Sequence, residues 1–409
     1  MPPVDSSAAA RELAIALPLR VYSAPDGRRY LTRKAIEGAS SIGRGWPGPV
    51  TVLAGTSPEP FPDFDPLDID REALDVSVEV APADLAGWTH RLRNAAVVLA
   101  FLSRDTAPLA PLCASIGVPL VFYSEYSLTV EHEIIAATTA NPLRRWRRRL
   151  WTNRTEQMRR AALRLAHGLQ CSGVPTYDAY RGLVTDAMMF FDNRVRESQM
   201  PRLPDLERLL FAKASKGPLR LAFGGRLVAM KGAGHLPEVA ERLRAAGVSF
   251  TMRIFGDGEL REEIRRDIYR RRLGDRVTLD GVLDFSSAWL PTLRDEIDLF
   301  VCCHPQGDPS STYPEVMSCG VPIVGYANSA FQGVLDYGGG GWSVPVNDRQ
   351  ALARALGLLA CDRRRIAEAA RKALTFGYDH HFEKTYAARR RHLARLSRLP
   401  RVEVEKLSS

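Results

Sequence analysis

Short apolar runs and helix-spaced segments alternate twice along the chain, with a stretch of weak period between the two alternations. Apolar runs at 13–22, 50–54, 76–80, 95–102, 119–123, 168–172 and 187–191 read as strands. Helical spacing recurs at 83–93, 107–116, 142–166 and 175–182. Strands alternating with helices predict a mostly parallel, doubly wound sheet. From 193 to 216 no period dominates, and Pro201 and Pro204 interrupt the stretch. The alternation restarts with strands at 219–224, 250–255, 277–279, 297–302, 321–326 and 342–344. Helices follow at 231–246, 259–271, 286–296, 315–319, 348–359 and 364–375, and a charged helix at 378–396 closes the pattern. The expected organisation is α/β: a Rossmann-like domain over 1–200, a linker over 201–217 and a second Rossmann-like domain over 218–376. A final segment, 377–409, is placed to cross back to the first domain.

Composition narrows the class. A chain of 409 residues suggests two cores, and 45% hydrophobic with 25% charged residues fits a globular protein. The six cysteines (113, 171, 302, 303, 319 and 361) form no CxxC pair, so neither a zinc site nor a disulfide framework is indicated and a reducing compartment is expected. No charged leader precedes a long apolar core, and no apolar run reaches the roughly 18 residues that span a bilayer. The expected location is therefore the cytoplasm.

The net charge of +9 is uneven. Residues 144–164 carry Arg144, Arg145, Arg147, Arg148, Arg149, Arg154, Arg159, Arg160 and Arg164. Leu143, Trp146, Leu150, Trp151, Met158, Ala162 and Leu165 fall near one stripe at helical spacing. One reading of 142–166 is a helix lying on an anionic membrane surface. The other is a solvated basic face whose apolar stripe packs on its own sheet. No nucleic-acid motif is present. The acidic segment holds two Asp-x-Asp strings, Asp63/Asp65 and Asp68/Asp70. They sit in a Pro-rich loop rather than at a strand end and read as solvated charge, so no metal is expected.

The candidate chemistry lies in the second half. An apolar run ending at Cys302 meets a polar loop, Gln306 to Thr312, which enters a helix at Pro314-Glu315. Loop N–H groups at a strand's C-terminal end favour an anion, and a carboxylate at the helix start suits a pair of sugar hydroxyls. Together they suggest a nucleotide with a ribose. Thr312-x-x-Glu315 is also a capping-box pattern. Upstream, Gly224-Gly225-Arg226 and Lys231-Gly232 close a strand and open a helix. The glycines allow close backbone approach, and Arg226 and Lys231 suit a diphosphate. Phe255-Gly256-Asp257-Gly258 ends another strand; Asp257 reads best as a helix cap, with the turn around Gly256 bordering the ligand.

The order and spacing of these strings resemble the C-terminal domain of glycosyltransferase family 4, specifically over 219–346. That resemblance implies the GT-B fold, two Rossmann-like domains facing a cleft, and retaining transfer from a UDP- or GDP-linked sugar without a metal or other cofactor. It implies that Arg226 and Lys231 bind the donor diphosphate, Glu315 the ribose, and Val282 and Leu283 the base. Gly225, Gly256 and the loop Gly307, Asp308, Ser311 and Thr312 would line the donor. Two departures stand out. The family's upstream glutamate falls at Gly307, eight positions before Glu315, with Asp308 one residue out of register. The His expected after the fourth strand is absent, and Glu125 is the nearest polar cleft candidate for a catalytic or acceptor-side role. The acceptor expected is a saccharide or a polyprenyl-linked saccharide, in cell-surface polysaccharide or glycolipid synthesis. The rivals are an epimerase of nucleotide sugars on the same fold and a non-catalytic two-lobed binding protein.

Overall fold

The structure, a computed structural model, describes residues 11–59, 66–213 and 217–399. The N-terminal half forms one sheet from β1 (Leu13–Ser23), β2 (Arg29–Thr32), β3 (Val50–Ser57), β4 (Pro66–Asp68), β5 (Ser77–Val80), β6 (Val97–Phe101), β7 (Leu120–Ser124), β8 (Gly168–Ser172) and β9 (Ala187–Phe190). Its parallel part runs β5-β3-β1-β6-β7-β8-β9, with β2 and β4 added antiparallel beside the end of β1. The helices are α1 (Arg33–Gly43), α2 (Leu85–Leu92), α3 (Leu109–Ser115), α4 (Leu128–Thr138), α5 (Pro142–Leu163) and α6 (Gly173–Tyr180). α7 (Leu203–Lys213) leads into the second half.

The second sheet comprises β10 (Leu219–Gly224), β11 (Phe250–Phe255), β12 (Val277–Gly281), β13 (Leu299–Cys302), β14 (Ile323–Tyr326) and β15 (Gly341–Val344), in the order β12-β11-β10-β13-β14-β15. Around it lie α8 (Leu236–Ala245), α9 (Arg261–Arg270), α10 (Leu290–Glu296), α11 (Thr312–Ser318), α12 (Ser329–Asp336), α13 (Arg349–Ala360) and α14 (Arg363–Asp379). α15 (Phe382–Leu396) follows. In each sheet the strand order reverses beside the first strand, between β1 and β6 and between β10 and β13. Such switch points open ligand crevices at the strands' carboxyl ends.

Continuous apolar strands follow from burial on both faces. Leu299 and Val301 of β13 join one core, while Phe300 and Cys302 join the core on the opposite face. β1 splits the same way, with Leu13 and Ile15 on one side and Ala14 and Ala16 on the other. All six cysteines are unpaired; only Cys361 is exposed.

Several expectations need correction. The span read as a linker, 201–217, holds the helix α7. Leu206 is buried in the second domain's core, and the Glu207 carboxylate meets Arg371 Nε at 2.6 Å. The charged helix expected from 378 begins later. α14 continues to Asp379, the chain turns at His380, and α15 starts at Phe382. The broken end is satisfied by Asn193 Nδ2, which donates to the His380 carbonyl at 3.0 Å. α15 then packs on the first domain, where Phe382, Tyr386, Leu393 and Ala394 share a core with Leu13, Ile15 and Ile36. Arg389 Nε donates to Gln170 Oε1 at 2.8 Å. The sequence pattern also passes over α1, α4, α12, β2 and β4. Asp63 and Asp65 lie outside the described residues; Asp70 pairs with Arg29 at 2.5 Å and Asp68 with Arg71 at 3.7 Å.

Candidate functional site

The carboxyl ends of β10, β11 and β12 and the first turn of α11 enclose a cavity of about 290 Å³. Its walls are three strand-ending turns: Gly224-Gly225-Arg226, Phe255-Gly256-Asp257 and Val282-Leu283. Phe285 and Trp289 complete it, and Trp289 meets Phe255 edge-on with ring centroids 5.1 Å apart. Gly256 has φ +119°, and a Cβ there would lie 1.9 Å from the Gly225 carbonyl oxygen. The two turns therefore meet backbone to backbone, and a side chain would push them apart. Arg226 is exposed on the first turn and lines the cavity without an ion-pair partner among the described residues. Its charge reaches Tyr126 of the other domain.

Glu315 also lines this cavity and is only 3% exposed. The capping box does not form, because the residue before α11 is Ser311 and no side chain caps the helix. The Glu315 carboxylate instead accepts from Arg194 Nε at 2.7 Å. Arg194 in turn lies over the Phe285 ring at 4.1 Å. Asp257 is not a helix cap either. It accepts from Gly258 N at 2.8 Å and faces Arg261 at 3.6 Å, while α9 begins after Leu260 with no side-chain cap.

The loop before α11 forms the next stretch of the cleft. Lys231, 8% exposed, donates to the Asp308 carboxylate and to Ser310 Oγ at 3.4 Å. The two residues read as binding opposite ends of a donor are thus an ion pair. Gln306 is fully buried and bridges from the Met230 carbonyl, 3.1 Å, to the Asp308 N–H, 2.5 Å. Behind the loop, Tyr313 OH, His304 Nδ1 and Asn328 Nδ2 form a buried cluster, with contacts of 3.1 and 3.2 Å to the hydroxyl. Burial, reinforced by Lys231, holds His304 well below the ordinary imidazole pKa. It is a neutral scaffold group.

The N-terminal domain faces this loop with Glu125 and Tyr126. Glu125 lines a cavity of about 350 Å³ with apolar walls that include Ile15, Leu17, Leu99, Phe101 and Phe190. Lys34, Asp192, Tyr386 and Arg389 are its polar fringe, and Lys34 pairs with Asp192 at 2.8 Å. Burial raises the Glu125 carboxyl above its ordinary range despite the pull of Lys34, and Asp192 and Asp308 push the same way as burial. Burial alone would raise Asp192 too, but Lys34 holds it low.

Arg226, Gly225, Gly256, Val282, Leu283, Thr312 and Glu315 thus share one cavity. Gly307, Asp308 and Ser311 belong to the adjoining loop, Lys231 meets it from the short turn Ala229–Lys231 after β10, and Glu125 stands across from it in the other domain. Arg194, Lys34, Asp192, Gln306, Arg389 and Glu133 were not singled out from sequence. Arg194 meets Glu315 across 121 residues and Arg389 meets Gln170 across 219, in segments without a motif.

Helix α5 carries its side chains in an unusual sense. Its buried face is polar over most of its length, with Thr152, Thr155, Glu156 and Arg159, and turns apolar at its end with Ala162 and Leu163. Arg159 pairs with Glu131 of α4 at 2.5 Å, and Tyr180 donates to Glu156 at 2.8 Å. The apolar stripe points outward: Leu143 is 65%, Trp146 59% and Trp151 56% exposed, and Leu150 and Met158 are exposed beside them. Of the stripe only Ala162, with its neighbour Leu163, packs into the domain's own core; the rest faces outward. Among the described residues, no helix is long and apolar enough to cross a membrane.

Two Rossmann-like domains facing a cleft define the GT-B fold. Solved structures share it: HepE of Anabaena in complex with UDP and glucose has a TM-score of 0.59 at 16% identity, covering 92% of this chain and 97% of the other. Sucrose-phosphate synthase of Thermosynechococcus elongatus has a TM-score of 0.62 at 14% identity, covering 94% and 98%. Residues 218–362 match the family described as Glycosyl transferases group 1, so the resemblance to that family holds over the C-terminal domain. The putative colanic acid biosynthesis glycosyltransferase WcaL of Salmonella typhimurium is 31% identical over 150 residues, 35% of this chain and 36% of that protein. The 2-deoxystreptamine N-acetyl-D-glucosaminyltransferase of Streptomyces fradiae is 27% identical over 241 residues, 58% of this chain and 52% of that one. The chain therefore spans about a third to a half of the length of these curated relatives.

Proposed function

We propose that the protein transfers a sugar, with retention as in glycosyltransferase family 4, from a UDP- or GDP-linked donor to a saccharide or polyprenyl-linked acceptor. Synthesis of a surface polysaccharide or glycolipid is the proposed setting. The observation that carries this reading is the meeting of Arg226, Glu315 and the Gly225–Gly256 turns in one cavity. A free cation, close-packed backbone and a buried carboxylate match a diphosphate and a ribose. The relatives named for polysaccharide synthesis and the neighbour bound to UDP support the same class.

In this mechanism Arg226 and Lys231 stabilise charge developing on the leaving diphosphate. Lys231 starts neutralised by Asp308, so the diphosphate draws the ammonium from that carboxylate as charge builds, and Asp308 turns to the donor-sugar hydroxyls. The leaving phosphate assists loss of the acceptor proton, so the proposal routes no step through a metal. Glu125, across the cleft, orients the acceptor. The test is a panel of UDP- and GDP-sugars scored for transfer or donor hydrolysis. Arg226→Ala is expected to lower turnover by roughly a hundredfold or more, and full activity in that variant would remove the diphosphate assignment.

The acceptor side of the proposal places α5 on the cytoplasmic face of an anionic membrane. Its outward Trp and Leu stripe, rimmed by arginines, supports this. Vesicles of phosphatidylglycerol with phosphatidylcholine are expected to sediment the protein, and Trp146→Ala/Trp151→Ala to release it. Equal sedimentation of the variant would remove the membrane contact.

A further inference from the structure

The loop that carries Asp308 is held from both domains. On its own side Gln306 ties it to Met230 and Asp308 to Lys231. On the far side Gly307 N–H donates to Glu133 Oε2 at 2.8 Å, and Glu133 belongs to α4 of the N-terminal domain. The other Glu133 oxygen has no partner among the described residues. A Cβ at position 307 would lie 2.1 Å from Ser329 Oγ, so that hydroxyl would have to turn away, and 3.2 Å from Val130 Cγ2, again on α4. The loop's one carboxylate is committed to Lys231. A second carboxylate therefore reaches this point only from the opposite domain.

We propose that Glu133 is a positioning residue for the donor loop, and that it makes the grip on the sugar end of the donor conditional on closure of the cleft. This rests on the donor-site reading above. The two domains divide the labour. Arg226, Glu315 and the glycine turns belong to the C-terminal domain, and none of them touches Glu133; Arg194, which lies against Glu315, comes from the segment that leads into that domain. Gln306 and Lys231 hold the loop 306–311 from its own side, and the tie at Gly307 is a carboxylate on the other domain. An ionised acceptor on a backbone N–H is among the stronger hydrogen bonds, and a glycine flanking it has no side chain to fix the loop otherwise. Opening the cleft breaks this tie and frees the loop on that side. Nucleotide binding and sugar positioning are thereby separated, and only the second depends on closure.

The test uses the full chain with UDP and GDP and with UDP-glucose, UDP-N-acetylglucosamine and GDP-mannose as probes. Glu133→Ala removes the acceptor; Glu133→Gln keeps a carbonyl oxygen at the same reach. Three quantities are read: nucleotide affinity by calorimetry, hydrogen exchange of the peptide containing Gly307, and kcat and KM for donor turnover. Glu133→Ala is expected to leave nucleotide affinity within about twofold, to speed exchange at Gly307 selectively, and to lower kcat on the order of tenfold to a hundredfold, the loss expected from a displaced positioning element. Glu133→Gln recovers most of both. Unchanged exchange and kcat in Glu133→Ala would overturn the proposal. So would loss of nucleotide affinity in step with kcat, or a Glu133→Gln variant as impaired as the alanine. If the unaltered protein binds neither UDP nor GDP, the donor-site reading itself falls, an outcome distinct from a variant that merely fails to differ.

Discussion

The two domains share a strand order and differ in how each builds its face of the cleft. The C-terminal domain uses backbone. Strand-ending turns at Gly225 and Gly256 pack against each other, Arg226 and Lys231 follow the first within a few residues, and Glu315 comes from the first turn of α11. The N-terminal domain uses side chains drawn from far apart. Its cavity joins Lys34 of α1, Glu125 after β7, Asp192 after β9 and Arg389 of α15. A site made of turns demands particular residues at particular spacings, while a site made by convergence places almost no demand on neighbouring sequence. The difference teaches that a nucleotide-type site is local in the chain and an acceptor-type site is not.

This contrast can be broken first at Lys231. Lys231→Ala leaves Asp308 buried without its cation, so it is expected to abolish donor turnover and also to cost on the order of 3 kcal/mol of stability, as when one partner of a buried pair is removed. Denaturant melts alongside turnover check both losses. Arg226→Ala sharpens the point: its side chain is exposed and unpaired, so turnover falls by roughly a hundredfold or more while the melting temperature stays put. A fall in stability in step with activity would mean that Arg226 holds the fold instead.

The N-terminal face gives a smaller effect with a pH signature. The folded pKa of Glu125 lies above its ordinary value of 4.5, so folding disfavours its charged form. That penalty is absent below the unfolded pKa, grows as pH rises toward the folded pKa, and is complete above it. Glu125→Gln is therefore expected to melt higher than the parent at pH 7 and equal to it near pH 4, while transfer to acceptor drops about tenfold and nucleotide affinity is kept. A melting difference independent of pH would contradict the burial argument. The smallest effect concerns the histidines. His235 and His380 are each pushed down by burial to about 4, so stability is complete above pH 6.5 and declines as pH falls toward 4. His380→Gln is expected to flatten part of that decline in pH-dependent melts.

The fold was legible because the strands are short apolar runs buried on both faces, as in β10 and β13. The C-terminal residues of the candidate site were legible because Arg226 and Gly256 sit at glycine turns that end strands, and Glu315 opens a helix after a polar loop. α4 was not, since its apolar residues spread around the helix instead of forming one stripe. With it went Glu133, whose partner lies 174 residues away. The helix in the supposed linker escaped because two prolines mask a single buried leucine, Leu206, that anchors it. The outward apolar stripe of α5 was visible as a stripe, but only the structure decides which way it faces.

The central claim is that nucleotide recognition resides in the C-terminal domain. Calorimetry with UDP and GDP on the parent protein, Glu315→Ala and Glu125→Ala tests it most directly. One nucleotide is expected to bind the parent and Glu125→Ala alike and to lose roughly tenfold or more in affinity to Glu315→Ala. Undiminished binding by Glu315→Ala, together with its loss in Glu125→Ala, would contradict the account.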